Sequence, residues 1–526
     1  MALREIYSST EGNYMHISRI PHEILSAIFI ACQSFRNPPQ ISKYGYHPKS
    51  SPRCYLPVEI LLTHVSHFWR NVAIDTSALW IAPPTIFPCK SINLCKIYLN
   101  RSNTQTIALA IDFTVRRRHA SKMVHDPMAA MMLVSENLDR CHRLRVSSER
   151  DKPVVDSLVT LFNMIRGLSA PNLVYLDLCV EGIHLNLIER LGPRVPNRII
   201  QGGTPRLRYL HLGGSIFDCE LPPMNNLTHL QVGCLSSPVF DSDMFGRILI
   251  EPSHLTHLSF QQQKVPWDQL RIDGADRSIQ YHMPCLVFLS LAGYYKNTDF
   301  DFSRNCLSDS LILMSSWAPN LQTLVIGCLQ TNEDLREYFD FSRDNGSRFS
   351  KLKTLVLETR RHDGFLLGLT QVFPSVINFV YKLAIYNLAH DTKRRDKFLQ
   401  PLSHLLVDPS QWPNLRTLTI VNDPIDVQSL VDIVLTRAAL GSCALKELYV
   451  PSKSMQQYAS LENSLGGLIR VSPTVKDRAW QGHILEAVDV GQRSFNCEPR
   501  RLPLIFDSDG MLDHIGGEFT HAASLG

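Results

Sequence analysis

Past residue 100 the chain repeats one arrangement of positions: an apolar residue, two others, an apolar residue, one other, an apolar residue. It appears as Leu173-Val-Tyr-Leu176-Asp-Leu178 and Leu207-Arg-Tyr-Leu210-His-Leu212, and returns with starts at Leu227, Leu255, Leu286, Leu321, Leu352, Leu415 and Leu445. A weaker copy is read at Val380-Tyr-Lys-Leu383-Ala-Ile385. Alternation of this kind predicts one short strand per repeat with its leucines turned inward. Proline often stands two residues before the start (Pro171, Pro205, Pro284, Pro319, Pro413), where a strand tolerates the missing donor. Helical spacing lies between some strands, as in Asp426-Val-Gln-Ser-Leu430-Val-Asp-Ile433-Val434-Leu435. The expected fold class is therefore an α/β solenoid, with strands also at Ile107–Asp112 and Leu144–Val146 leading into the array.

Ahead of the array the period changes. Ile24, Leu25, Ile28, Phe29 and Cys32 recur at helical spacing behind Pro21, which suits a first helical position, and Glu23, which suits the positive end of a helix dipole. Residues 36–55 are rich in proline, glycine and serine and read as a loop insert. Pro57 opens a second helix with Ile60, Leu61 and Val65 as its apolar stripe. A break near Ser66-His67 leads to a third carrying Phe68, Trp69, Val72 and Ala73. This segment shows more apolar surface than so short a stretch buries within itself.

The pattern Ile20-Pro21-x-Glu23-Ile24-Leu25, then Val65-x-x-x-Trp69-Arg70-x-Val72-Ala73 and Leu79-Trp80, resembles the F-box in the version common in large fungal families. The usual leucine before the proline is Ile20 here, and the usual cysteine after the valine is Ser66. The repeats resemble degenerate leucine-rich repeats of the same family, so the expected architecture is a three-helix F-box followed by an irregular leucine-rich-repeat horseshoe. The expected domains are a flexible N-terminus over 1–16, the helical module over 17–82, the repeats over 83–450, and a cap and tail over 451–526. Within the last, Arg501–Phe506 could add a capping strand.

The resemblance implies a role as the non-catalytic, substrate-recognition subunit of a Skp–cullin–F-box ubiquitin ligase. The helical module would dock a Skp-family adaptor, itself bound to the cullin ligase core, through Ile20, Pro21, Ile24, Leu25 and Ile28, with Val65 and Trp69 second; Trp69 fits an internal core equally well. The alternative is an interaction scaffold with no ubiquitin role.

Strand alternation then selects the residues that would read a target. Those flanking each middle leucine point across the concave sheet, in two rows. The first is Tyr175, Tyr209, His229, His257, Phe288, Thr323, Thr354, Lys382, Thr417 and Glu447; the second includes Asp177, His211, Gln231, Ser259, Ser290, Val325, Val356 and Thr419. Tyr175, Tyr209, His211, His229, His257 and Phe288 are the candidate target-binding patch, although sheet neighbours of these types can equally stack on one another.

Composition narrows the remaining options. With 44% hydrophobic and 19% charged residues the chain is a folded protein. A net charge of +4 over 526 residues argues against a dedicated nucleic-acid binder. Thirteen cysteines without a CxxC pair indicate free thiols in a reducing compartment, cytoplasmic or nuclear. There is no signal-peptide pattern at the start and no long apolar run, so a membrane association is not expected. His211, His229 and His257 fall in consecutive repeats but not in one row, which disfavours a metal site. Arg116–His119 and Lys393–Lys397 read as solvated basic runs. No cofactor or catalytic motif is found.

Overall fold

The computed structural model describes residues 20–36, 57–86, 92–113, 127–148, 153–180, 199–214, 221–233, 248–262, 281–293, 316–329, 348–359, 366–383, 411–421, 427–439, 445–451 and 468–474, with a few single positions from 406 to 465. The expectations for residues 1–16, for the insert beyond Arg36, for both basic runs and for Arg501–Phe506 fall outside the described residues. The chain divides into two compact units, residues 1–110 with 490–526 and residues 111–489. No described helix is long and apolar enough to cross a membrane.

The first unit holds helices α1 (His22–Arg36), α2 (Val58–Thr63) and α3 (His67–Asp75), a 3-10 turn at Ser77–Trp80, and α4 (Ile92–Arg101). Ser66 takes the N-cap of α3: its extended backbone lets Oγ accept the Trp69 N–H at 3.2 Å, so this residue starts a helix. The core is formed by Leu25 and Phe29 of α1, Val58 and Leu62 of α2, Val72 and Ala73 of α3, and Leu79, Trp80 and Tyr98. The stripe expected on the second helix is corrected accordingly. Val58 and Leu62 are buried, Ile60 and Leu61 are half-buried, and Val65 lies beyond the helix and is exposed.

Trp80 organises this core. Its indole N–H donates to the Ala73 carbonyl at 2.8 Å, its ring meets Tyr98 edge-on at 4.9 Å, and the Arg101 guanidinium lies 4.4 Å from its centroid. The Tyr98 hydroxyl donates in turn to the buried Glu59 carboxylate at 2.6 Å, and Gln33 donates to its other oxygen at 3.3 Å. Helix α4 thus belongs to this unit, which runs past residue 82, where the sequence pattern placed its end.

The second unit is built on an open parallel sheet of thirteen strands with helices, an arrangement compatible with an α/β solenoid. In order the strands are β1 (Ile107–Asp112), within which the division of the units falls, β2 (Cys141–Ser148), β3 (Tyr175–Val180), β4 (Tyr209–Gly214), β5 (His229–Gly233) and β6 (His257–Gln262). A short pair follows, β7 (Tyr281–His282) and β9 (Ser316–Trp317), set apart from the sheet. The sheet continues with β8 (Phe288–Gly293), β10 (Thr323–Leu329), β11 (Thr354–Thr359), β12 (Asn378–Leu383), β13 (Thr417–Val421), β14 (Glu447–Pro451) and β15 (Arg470–Thr474). Helices α5 (Pro127–Glu136), α6 (Pro153–Arg166), α7 (Leu366–Val372) and α8 (Val427–Ala439) occupy segments between strands.

Two main-chain devices recur. Before a strand, the N–H of the first apolar residue closes a turn onto the carbonyl three residues back, as from Leu173 to Ala170, Leu207 to Thr204, Leu321 to Ala318 and Leu415 to Trp412. At the strand start, one carbonyl then accepts two consecutive N–H groups of the next strand. Val174 O accepts from Arg208 and Tyr209, Arg208 O from Thr228 and His229, and Thr228 O from Thr256 and His257. A side-chain device that the leucine pattern did not reveal joins them. Asn172, Asn226 and Asn320 donate to the carbonyls of Asp139, Pro205 and Pro284, each on the preceding repeat. The signal was present as an asparagine just before the first leucine, in Pro-Asn-Leu at Pro171 and Pro319 and in Asn225-Asn226-Leu227.

These devices correct two boundaries. Phe379 pairs with Leu355 and Leu418, so the eighth repeat is Val376-x-x-Phe379-x-Tyr381, four residues earlier than Val380-x-x-Leu383-x-Ile385. Asn378, not Lys382, takes the first-row position. An even slip keeps every strand residue on its face of the sheet: Leu383 stays on the side of Phe379 and Tyr381, and Val380 alone falls on the opposite face. Val471 pairs with Leu448 in β15, a further copy starting at Leu468 beyond the expected end at 450; Pro473 stands at its last apolar position and conceals the pattern.

One buried charge ties the later repeats together. Arg437 of α8, 1% exposed, donates to the carbonyls of Leu406 (3.0 Å), Gln411 (3.4 Å) and Trp412 (2.9 Å). Trp412 sits in the left-handed region at φ 48°, with its indole N–H on the Phe373 carbonyl at 2.9 Å, so these bonds hold a backbone shape that costs energy for a bulky residue. Arg437→Met is expected to lower unfolding stability by about 3 kcal/mol, since buried carbonyls left without donors cost roughly 1–3 kcal/mol each. Urea denaturation followed by tryptophan fluorescence measures it; an unchanged midpoint would contradict the role given to Arg437.

Candidate functional site

On the first unit, the expected docking residues separate into two groups. Helical spacing puts Leu25 and Phe29 one turn apart on one stripe and Ile24 and Ile28 on the stripe beside it. Leu25 is 1% exposed and packs inside the core, so it holds the helix and offers no contact surface, which corrects its place among the anchors. Ile24 is 54% exposed, Ile28 41% and Val65 58%, while Pro21 is exposed and Ile20 half-buried against the core. Trp69 takes the core option left open for it. It is half-buried against the core, with its ring 5.0 Å from Phe29, and its indole N–H is buried without an acceptor.

On the second unit, strand register brings the first-row candidates into one file. Tyr175 pairs with Tyr209, Tyr209 with His229, His229 with His257 and His257 with Phe288. Adjacent strands lie about 4.8 Å apart, which is stacking distance for flat rings. The stacking alternative is what the structure contains. Centroid separations are 6.1, 4.5, 4.3 and 5.7 Å along the file, with interplanar angles from 30° down to 8°, and the Arg143 guanidinium lies 5.3 Å from the Tyr175 centroid.

The two histidines repeat one local arrangement. The Thr228 hydroxyl donates to the Arg208 carbonyl (3.1 Å) and the Thr256 hydroxyl to the Thr228 carbonyl (3.0 Å), so each must accept from the ring that follows. Nδ1 of His229 lies 2.8 Å from Thr228 Oγ1, and Nδ1 of His257 lies 2.9 Å from Thr256 Oγ1. This network assigns the proton to Nδ1 in both rings and leaves a lone pair on each Nε2. Burial pushes the His229 imidazole down to about 3, helped by the neighbouring His257, and pushes His257 down to about 4. Both stay neutral in the stack.

Parallel rings 4.3 Å apart aim their lone pairs side by side rather than at a common point, whereas zinc needs nitrogens converging at about 2.0–2.1 Å. Among the described residues no group of three His, Cys, Asp or Glu side chains could hold a metal ion.

His211 stands in the second row and does not join the stack. Its Nδ1 lies 2.8 Å from Asp177 Oδ1, and Arg145 Nε lies 3.3 Å from Oδ2, so three consecutive strands present Arg145, Asp177 and His211 in register. Burial of Asp177, 6% exposed, would raise its carboxyl, but the His211 charge and hydrogen bond and the Arg145 charge hold it below the usual range. Tyr175 beside them is raised, first by burial and then by the Asp177 charge. The His211 ring approaches the next strand at Gly233, where a Cβ would come within 3.3 Å of Nε2 and the ring would have to give by a few tenths of an ångström. Arg145 was not among the sequence candidates, because the leucine pattern begins only at Leu173.

Farther along, the same face is not open. Phe288, Val325, Val356 and Val380 form an apolar cluster of their own at 1–6% exposure, and Ser290 and Thr419 are also buried. The expectation of exposure is therefore corrected for the second row over β8 to β13 and, in the first row, for Phe288, while Thr323, Thr354 and Thr417 stay half-buried. Phe288 is removed from the accessible patch, because its ring is packed between His257 and this cluster. The part left accessible covers β2 to β6.

In comparisons with known proteins, no family model and no curated relative matches the chain.

The neutral histidines make stability depend on pH with a definite sign. Their folded values lie below the unfolded value near 6.5, so the unfolded chain binds more protons on acidification, and stability present above pH 6.5 is lost as pH falls toward 4 and then 3. Each is expected to cost about 1–2 kcal/mol by pH 5. Thermal unfolding at pH 7.5 and 5.0 should show the drop, and His229→Phe with His257→Phe should flatten it; an equal drop in the double variant would assign the effect elsewhere.

Proposed function

We propose that this chain is the non-catalytic substrate-recognition subunit of a Skp–cullin–F-box ubiquitin ligase, with α1 to α3 docking the Skp-family adaptor and the repeat sheet presenting a target protein. The observation that carries the reading is the two-sided apolar helix α1. One stripe is spent on its own core, and the adjoining one, with Ile24 and Ile28, stays in solvent, as does Val65 after α2. Burying each such aliphatic side chain at an interface contributes roughly 1.5–3 kcal/mol. A few anchors of this kind dominate helix-face interfaces.

The resemblance of residues 20–80 to the F-box names the adaptor, and the repeats resemble the leucine-rich-repeat arm of such subunits. In this role the protein supplies no reacting group. It raises the effective concentration of a target's lysines near the conjugating enzyme, so the gain comes from proximity. Its place of work is the cytoplasm or nucleus, where the free thiols stay reduced.

The experiment uses the full chain and a purified Skp-family adaptor. Wild-type protein should be retained by the adaptor, and Ile24→Asp with Ile28→Asp should weaken binding about 100-fold, from two lost anchors and two introduced charges. Because both positions are exposed, the circular dichroism of the variant should match wild type, whereas Leu25→Ala should unfold the unit at lower temperature. If wild-type protein fails to bind the adaptor, or the double variant binds as well as wild type, the ligase reading fails and a repeat scaffold remains.

A further inference from the structure

We propose that the accessible part of the repeat face takes an acidic segment of the target protein, with Arg145 as its principal anchor and His211 as the second. The inference rests on the reading of this face as the target-recognition end, and gives that target a chemistry.

The first observation is charge. The described residues that form and lead into β2, β3 and β4 (139–148, 172–180 and 204–214) carry five arginines, at 140, 143, 145, 206 and 208, against two aspartates, 139 and 177. Among the described residues Asp177 is the one acid facing the candidate patch, and it is 6% exposed and already shared between Arg145 and His211. Arg143 is buried at 4% exposure, so the charge that reaches solvent on the described part of the patch is that of Arg145.

The second observation is availability. The Arg145 side chain is 29% exposed; its buried Nε lies 3.3 Å from Asp177 Oδ2 as an ion pair without a hydrogen bond, and among the described residues no acceptor takes the N–H groups at the tip of its fork. His211, 24% exposed, uses Nδ1 on Asp177, and its Nε2 has no partner among the described residues. Such a planar fork pairs with a carboxylate through two parallel hydrogen bonds.

The third observation is preorganisation. Asp177 holds Arg145 and His211 from behind, Tyr175 is stacked between Arg143 and Tyr209, and register fixes all of them on neighbouring strands. Little side-chain entropy remains to be lost on binding, which favours affinity. On β5 and β6 the face carries Gln231, Ser259 and neutral rings, so the attraction is confined to one end, and a short acidic run suits it better than a long polyanion.

The test uses the full chain without the adaptor, so that its outcome is separate from the docking experiment above. Fluorescence anisotropy of labelled hexaglutamate should show saturable binding that weakens with salt, and hexaglutamine should not bind. Arg145→Gln should weaken hexaglutamate binding about tenfold or more, Arg145→Lys less, since it keeps the charge and loses the fork, and His211→Gln by a smaller factor. Because Arg145→Gln strips the buried Asp177 of a partner, Arg145→Gln with Asp177→Asn serves as the folded check and should bind as weakly. Failure of wild-type protein to bind hexaglutamate, equal binding of hexaglutamine, or full binding by either Gln variant would overturn the proposal. So would tighter, Arg145-dependent binding of an oligothymidylate or of phosphatidylserine vesicles, which would make the occupant a nucleic acid or a lipid surface.

Discussion

The second unit depends on the register lock between successive strands. From β3 to β14 a single carbonyl at the strand start receives two N–H groups from the next strand of the sheet, so neighbouring repeats cannot slide by one residue without breaking a pair of bonds. Sliding by one would also turn each leucine to the wrong face. Given that lock, residues at equal positions in successive repeats are held about one strand spacing apart. Both the ring file and the Arg145–Asp177–His211 line follow from it. Neither is a local motif; each arises from side chains tens of residues apart in the chain.

The two arrangements divide the face by chemistry. The file spends its ring faces on one another and keeps its histidines neutral through burial, with the threonine before each fixing the tautomer. The adjoining row spends one carboxylate on Arg145 and His211 and leaves their outer atoms to solvent. The first gives stiffness and the second an outward charge, and stiffness beneath a charge is what makes a guanidinium selective rather than merely attractive.

The strands were legible because the leucine positions recur with so little variation, and so was the choice of facing residues, since parity survives even a misplaced repeat. Val380 was taken for an inward position because the opposite face of that repeat is also apolar there, and Leu383, truly inward, extended the false match. The copy at Leu468 was hidden by Pro473, and the asparagine steps by attention to leucines alone. Burial of Val325, Val356 and Val380 could not be read, because alternation tells which side a residue faces and not whether that side meets water. In the helical unit, periodicity gave one broad stripe on α1; only packing against α2, α3 and Tyr98 separates Leu25 and Phe29 from Ile24 and Ile28.

The asparagine steps bear on how such a chain can change its length. Asn172, Asn226 and Asn320 each reach back to an equivalent carbonyl, and the doubled main-chain bonds are likewise the same at each joint, so any repeat presents nearly the same edge to whatever follows it. A whole repeat could be excised between two such joints and the remaining edges would still match, with a tyrosine or histidine of one strand meeting the ring that had stood two strands away. Partial removals would leave mismatched edges. The array is thus divisible in whole units, and a recognition face carried on it can be shortened or lengthened without being redesigned.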